Sequence, residues 1–222
     1  MKFAVLIPIL LAAFPVMASS DLPAPVVDAL RKSLPHHEPN RKYIEMGDLN
    51  NDGVVEIATL LGDPDYNEFK ENDSAIRIVI LSGNPSEGFK VLTSSPELPR
   101  DTNVFYFLRV KNQSLYLLTS GRGFTLDYQF KLKSGDFVLI GEESTSFSPS
   151  DENAPYIKES FNYLTGRAVH SEKSSKGYKE KKGSFERKRP VKLAEFNLSD
   201  EFFHTQPSHV EYRDCQTNCV TS

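Results

Sequence analysis

The residues richest in chemistry stand in one run, MGDLNNDGVVEIATLL, residues 46–61. Counted from Asp48, oxygen-bearing side chains fall at positions one, three and five: Asp48, Asn50 and Asp52. Gly53 follows at six and a further carboxylate, Glu56, at nine. Calcium is a hard cation that takes six to eight oxygens at about 2.3–2.6 Å. Alternating oxygens on a tightly turned backbone can converge on one such ion, and the main-chain carbonyl of Val54 can add a ligand. Gly53 allows a turn that a residue with a Cβ would resist. Asp48, Asp52 and Glu56 carry three negative charges that repel one another until a divalent ion offsets them. Magnesium suits the run less well, since it demands near-octahedral geometry and gives up water reluctantly. The competing reading is an Asx-rich turn that needs no metal, because Asp, Asn and Gly favour turns by themselves.

This is not an EF-hand, whose twelve-residue loop ends in a bidentate Glu and continues into a helix. Position twelve here is Thr59, and the residues after Gly53 read as a strand. The stretch GDLNNDGVVEIATLL resembles instead the calcium loop of FG-GAP and VCBS repeats, which holds the ion between strands of an integrin-type β-propeller blade. The resemblance implies Asp48, Asn50, Asp52 and Glu56 as side-chain ligands, Val54 as the backbone ligand, and Ca2+ in a structural role. One copy of the loop is present and the chain is too short for a full propeller, so the resemblance bears on the ion site rather than the fold. The order of segments, the loop followed by AIRIVIL, GDFVLIG and FNYLTG, also looks like a group of uncharacterised exported bacterial proteins. That likeness brings no activity with it.

Elsewhere the chain offers little catalytic patterning. It has no Gly-x-Ser-x-Gly elbow, no His-Glu-x-x-His and no phosphate-cradling glycine loop. SGRGF, residues 120–124, lies between strand-like runs with no helix after it and reads as a hairpin turn. His36 and His37 adjoin Pro35 in a linker, and His170, His204 and His209 have no motif around them. The reading favoured by these residues is an exported, non-enzymatic binding or structural module with a calcium-stabilised loop, acting on a protein or glycan partner. One alternative is an exported hydrolase with an unassigned carboxylate or histidine site, for which Glu142, Glu143 and Glu159 are available. Another is a periplasmic inhibitor or immunity-type protein that inserts the polar loop SFSPSDENAP, residues 146–155.

Residues 171–188, SEKSSKGYKEKKGSFERK, are charged and read as a solvated loop between strands. A sharper reading makes Lys179, Lys181, Lys182 and Arg187 a docking patch for an acidic partner or anionic glycan, with Tyr178 and Phe185 free to stack on a flat ligand. Cys215 and Cys219 are the only cysteines, and in an exported chain a disulfide is expected. It closes so small a loop that it adds little through chain entropy. The rival is a zinc site of His204, His209, Cys215 and Cys219, but the spacing fits no standard zinc pattern.

The elements that must position these residues are mostly strands. PVVDALRKS, residues 25–33, is a short amphipathic helix with Pro25 in its first turn and Pro35 beyond its end. Residues 54–61 and 75–82 are β-branched runs bounded by Gly and Pro, and GFKVL at 88–92 is a short strand. Residues 103–110 and 114–120 flank a turn and read as a hairpin. FTLDYQFKL, residues 124–132, alternates apolar and polar positions with period two, and FVLIGEES returns beside it. Residues 161–171 and 183–196 could add strands, with Pro190 holding the latter at an edge or splitting it. The expected fold is all-β or mainly β: antiparallel hairpins forming a barrel, a sandwich or a partial propeller-like sheet, with one short N-terminal helix.

The chain of 222 residues opens with a basic Lys2, an apolar run and small residues Val16 and Ala18, the layout of a secretory signal peptide. Residues 1–18 are read as that signal, 19–42 as the helix and linker, 43–197 as a single β domain, and 198–222 as an irregular tail. Loss of Lys2 with the signal takes the formal charge from −4 to −5. So acidic a protein is a poor general binder of nucleic acid or anionic membrane. No later segment is apolar enough to span a bilayer, and the expected location is periplasmic or extracellular.

Overall fold

The computed structural model describes residues 23–34, 39–62, 76–84, 88–99, 104–151, 153–198, 207 and 209–214. Residues 1–18, read above as a signal peptide, and both cysteines, Cys215 and Cys219, lie outside them, so the expected disulfide does too. The chain order is α1 (Ala24–Ser33), β1 (Pro39–Gly47), β2 (Glu56–Leu61), β3 (Arg77–Asn84), β4 (Gly88–Ser94), β5 (Phe105–Lys111), β6 (Ser114–Gly121), β7 (Phe124–Lys133), β8 (Asp136–Ser146), β9 (Tyr156–Asn162), β10 (Arg167–Ser174), β11 (Gly177–Ser184), a 3-10 turn (Leu193–Glu195) and β12 (Glu211–Asp214). The fold is mainly β, with one short helix, as the strand patterns predict.

All strand pairs are antiparallel, in two sheets. The small sheet runs β1-β2-β3-β4 and the large one β12-β11-β10-β9-β8-β7-β6-β5. Neither closes into a barrel. They share one core, in which Ala58, Leu60, Ile78 and Ile80 of the small sheet meet Tyr106, Leu117, Leu126, Tyr128 and Phe130 of the large one. The alternation of β7 explains its role: Leu126, Tyr128 and Phe130 face this core, while Thr125, Asp127, Gln129 and Lys131 face away.

The other face of the small sheet is covered by α1. Val26 and Leu30, one helical turn apart, bury against Ile57, Leu61, Val79 and Leu81. Each such side chain withdrawn from water contributes about 1.5–3 kcal/mol. Pro25 sits in the first turn, and Arg31 and Lys32 in the last turn complement the helix dipole. β2 is therefore buried on both faces over all six residues, which is why Ile57, Ala58, Leu60 and Leu61 follow no apolar–polar alternation.

Several elements depart from the sequence expectation. β1 begins at Pro39, inside the segment read as a linker. The charged run 171–188 is not a loop; β10 and β11 pair from Arg167↔Ser184 to Ser174↔Gly177 across a tight turn. Residues 161–171 are not one strand, because a turn at 163–166 separates β9 from β10. There Asn162 Oδ1 accepts from the N–H groups of Leu164 and Thr165 at 3.1 and 3.0 Å, and Gly166 takes a φ of 67°. Residues 185–190 leave the sheet beyond β11, Lys192 bridges back to Val138 of β8, and the turn that follows buries Leu193 while Phe196 packs edge-on against Tyr128 and Phe130, each at 5.0 Å. The tail is not wholly irregular, since β12 pairs with β11.

Candidate metal centre

The Asp48–Glu56 loop joins β1 to β2 at a corner where the sheets approach closely. Gly47, the last residue of β1, has no room for a Cβ against the Val110 side chain of β5. The Val110 N–H, on the edge of the large sheet, donates to Glu45 Oε2 at 3.2 Å. The loop then turns through two positive φ values, 64° at Asn51 and 83° at Gly53, where Asn and Gly are the residues that tolerate them.

Its side chains are ordered by one another and by the backbone. Asp48 Oδ1 and Oδ2 accept from the N–H groups of Asn51 and Gly53 at 2.6 and 3.0 Å. Asn50 Oδ1 accepts from Asp52 N at 2.8 Å, and Asp52 Oδ1 from Val54 N at 2.7 Å. The Asn50 amide nitrogen donates both to Asp52 Oδ2 at 2.8 Å and to Glu56 Oε1 at 3.0 Å. Glu56 is fully buried; its other oxygen accepts from Leu49 N at 2.7 Å, and Ser82 of β3 donates to Oε1 at 3.3 Å.

Asn50, Asp52 and Glu56 thus converge, with the positive end of an amide dipole between two carboxylates. Asp48 braces the turn through the backbone, and Val54 is partly exposed. Burial first, and then the charges of Asp52 and Asp48, push the Glu56 carboxyl above the ordinary range, against the lowering effect of its bonds to Leu49 and Ser82. No Lys, Arg or His among the described residues pairs with Asp48, Asp52 or Glu56. No three His, Cys, Asp or Glu side chains among them gather tightly enough to form a metal cluster on their own. The donor set fits calcium in kind: all oxygen, from four side chains, with an uncompensated charge that a divalent ion would offset.

Sequence reasoning missed the loop's support from the other sheet. Gln113, at the tip of the β5–β6 hairpin, donates through Nε2 to Asn51 Oδ1 at 2.6 Å. Nothing in the local pattern marks that pair. It also missed a polar cluster on the core-side face of the strands beyond the core. His170 Nδ1 lies 3.2 Å from Glu159 Oε1, and the two are opposite in the β9–β10 register. The Tyr212 ring of β12 meets His170 edge-on at 5.8 Å, crossing above Gly183, where a Cβ would strike it. Its buried hydroxyl is aimed at Glu159 without a hydrogen bond of ordinary length. Burial, then the Glu159 charge, push this phenol up to about 12.

The four basic residues read as one patch are divided by the strand alternation. Lys179 and Lys181 project from the core-side face of β11. Lys182 projects from the opposite face, 3.7 Å from Glu180. Arg187 lies outside the strand and donates to the Leu164 carbonyl at 2.9 Å. Phe185 packs on Phe161 and Tyr163, away from the exposed Tyr178. Comparison with known protein families, with curated proteins and with solved structures finds no match. The likeness of the loop to FG-GAP and VCBS loops therefore rests on its own residues. No helix among the described residues is long and apolar enough to cross a membrane.

Proposed function

We propose that this chain is an exported, non-enzymatic binding or structural module, periplasmic or extracellular, whose β1–β2 loop is stapled by calcium. One observation carries the calcium reading. Three carboxylates, one of them fully buried, crowd a nine-residue loop with no cationic side chain among the described residues paired to them, and an amide dipole stands between two of them. Asp48, Asn50, Asp52 and Glu56 would hold the ion through side-chain oxygens, with the Val54 carbonyl as a main-chain ligand. The ion supplies charge neutralisation and rigidity, not reaction chemistry. Exported calcium modules with affinities near 10⁻⁴–10⁻³ M work where calcium is abundant.

The test is thermal unfolding with calcium and with chelator. At free calcium ten times the dissociation constant, the fold gains about 1.4 kcal/mol. Asp52→Ala, which removes a carboxylate from the exposed side of the loop, abolishes the difference between the two conditions. A wild-type midpoint indifferent to calcium refutes the site. The hydrolase alternative finds its best support in the His170–Glu159 pair, where a carboxylate orients an imidazole beside a desolvated phenol. His170→Ala tests it against any hydrolytic activity found.

A further inference from the structure

On the face of the large sheet turned away from the core, β9–β11 carry exposed aromatic rings among cations that outnumber the acids Glu143, Glu180 and Glu211 sharing that face. Phe147, just past the end of β8, and Tyr156, at the start of β9, are stacked with ring centroids 6.5 Å apart and planes 15° apart. They remain 42% and 45% exposed. Tyr178 of β11 is 63% exposed. Lys173 stands between them in register, opposite Tyr156 on one side and Tyr178 on the other. Tyr156 and Tyr178 are thus two strand spacings apart, about 10 Å. Tyr178 is held in place by donating to Glu180 Oε2 at 2.7 Å. The rings are wet on a face that no other sheet covers, where apolar surface is costly unless something binds it.

The charges on the same face are unequal. Arg167, Lys173 and Arg213 point from it by strand alternation and form no ion pair among the described residues. Lys158 and Lys182 are engaged by Glu143 at 2.8 Å and Glu180 at 3.7 Å. A basic face on a chain of net charge −4 is a local arrangement rather than a general trend. We infer that this face binds an anionic, uronate-bearing glycan. The Tyr156 and Tyr178 rings stack on the apolar faces of alternate sugars, Phe147 backs Tyr156, and Lys173 with Arg167 meets the carboxylates. Hydroxyls of Ser160 and Ser171, on the same face, are available to the sugar hydroxyls. This rests on reading the chain as a binding module, but not on the calcium loop.

The probe is a set of oligogalacturonates, titrated calorimetrically in EDTA at low and physiological salt. Neutral cello-oligosaccharides and oligo(dT) are run beside it, and calcium-dependent melting is recorded on the same samples. Saturable oligogalacturonate binding is expected to weaken roughly three- to tenfold with Tyr178→Ala and with Tyr156→Ala, the loss expected for one aromatic contact. Lys173→Ala is expected to weaken it and flatten its salt dependence. These positions are exposed, and unchanged melting of each variant shows that the fold is kept. No binding, binding indifferent to Tyr178→Ala, equal affinity for the neutral glycan, or tighter binding of oligo(dT) overturns the inference. Equal neutral-glycan binding would still leave the binding-module reading standing, and a lost calcium shift would leave this face untouched.

Discussion

The two halves of the large sheet obey different rules. β5–β8 are sealed by the small sheet, and their core-facing positions hold Tyr106, Leu108, Leu115, Leu117, Leu126, Tyr128, Phe130, Phe137 and Leu139. β9–β12 project beyond that cover. Among the described residues, their buried apolar side chains are Phe161 and Ala168. Both halves have the same antiparallel ladder, so hydrogen bonding does not separate them. Apolar burial does, and it assigns stability to one half and an open, chemically varied surface to the other. Local opening follows burial in this way, with lightly covered elements at the low end of the stability range.

The comparison breaks most sharply at Phe130. Its replacement by Ala leaves a cavity between the sheets and is expected to cost about 3–5 kcal/mol, read as a large fall in the denaturation midpoint. A tolerant Phe130→Ala would mean that the covered half does not hold the fold. Gly47→Ala forces a methyl into Val110 at the corner where the sheets meet, with an expected loss of about 1–3 kcal/mol in the same measurement.

The overhanging half is probed by alkali. An unfolded tyrosine releases its proton near pH ~10, whereas Tyr212 in the fold holds it to about 12. Between these values the folded state binds more protons, so stability is intact below about pH 10 and falls as pH rises towards 12. Absorbance at alkaline pH should show a phenol that titrates late and vanishes in Tyr212→Phe. Tyr178, bonded to Glu180, lags as well and serves as the internal comparison. The smallest effect is expected at Lys158→Ala. Its exposed pair with Glu143 is worth at most about 1 kcal/mol, and a larger loss of stability would show that this half is held by charge.

The same contrast decides what could be read from the sequence. β7 was legible because one of its faces is dry and the other wet, which writes period two into residues 124–132. β2 was legible as a compact, mainly apolar run because α1 and the large sheet cover both its faces. β11 and the end of β10 were hidden: SEKS and GYKEKKGS carry no hydrophobic alternation and imitate a loop, whereas the start of β10 lies within residues 161–171, legible as a possible strand. β1 was obscured for a related reason, since among its described side chains Ile44 alone packs with the helix-side cluster. The spacing of oxygen-bearing side chains in the loop was fully visible because it is local. The pairs Gln113–Asn51, Ser82–Glu56 and His170–Glu159 depend on which strands become neighbours, and no short window of sequence carries that information.

The bond from Gln113 to Asn51 has one practical consequence. It spans 62 positions of chain and ties the hairpin tip of one layer to the turn of the other. The carboxamide of Gln113 is therefore a remote spectator of whatever the loop does, and under the calcium proposal its NMR signal is expected to move on addition of calcium although the side chain is not among the proposed ligands.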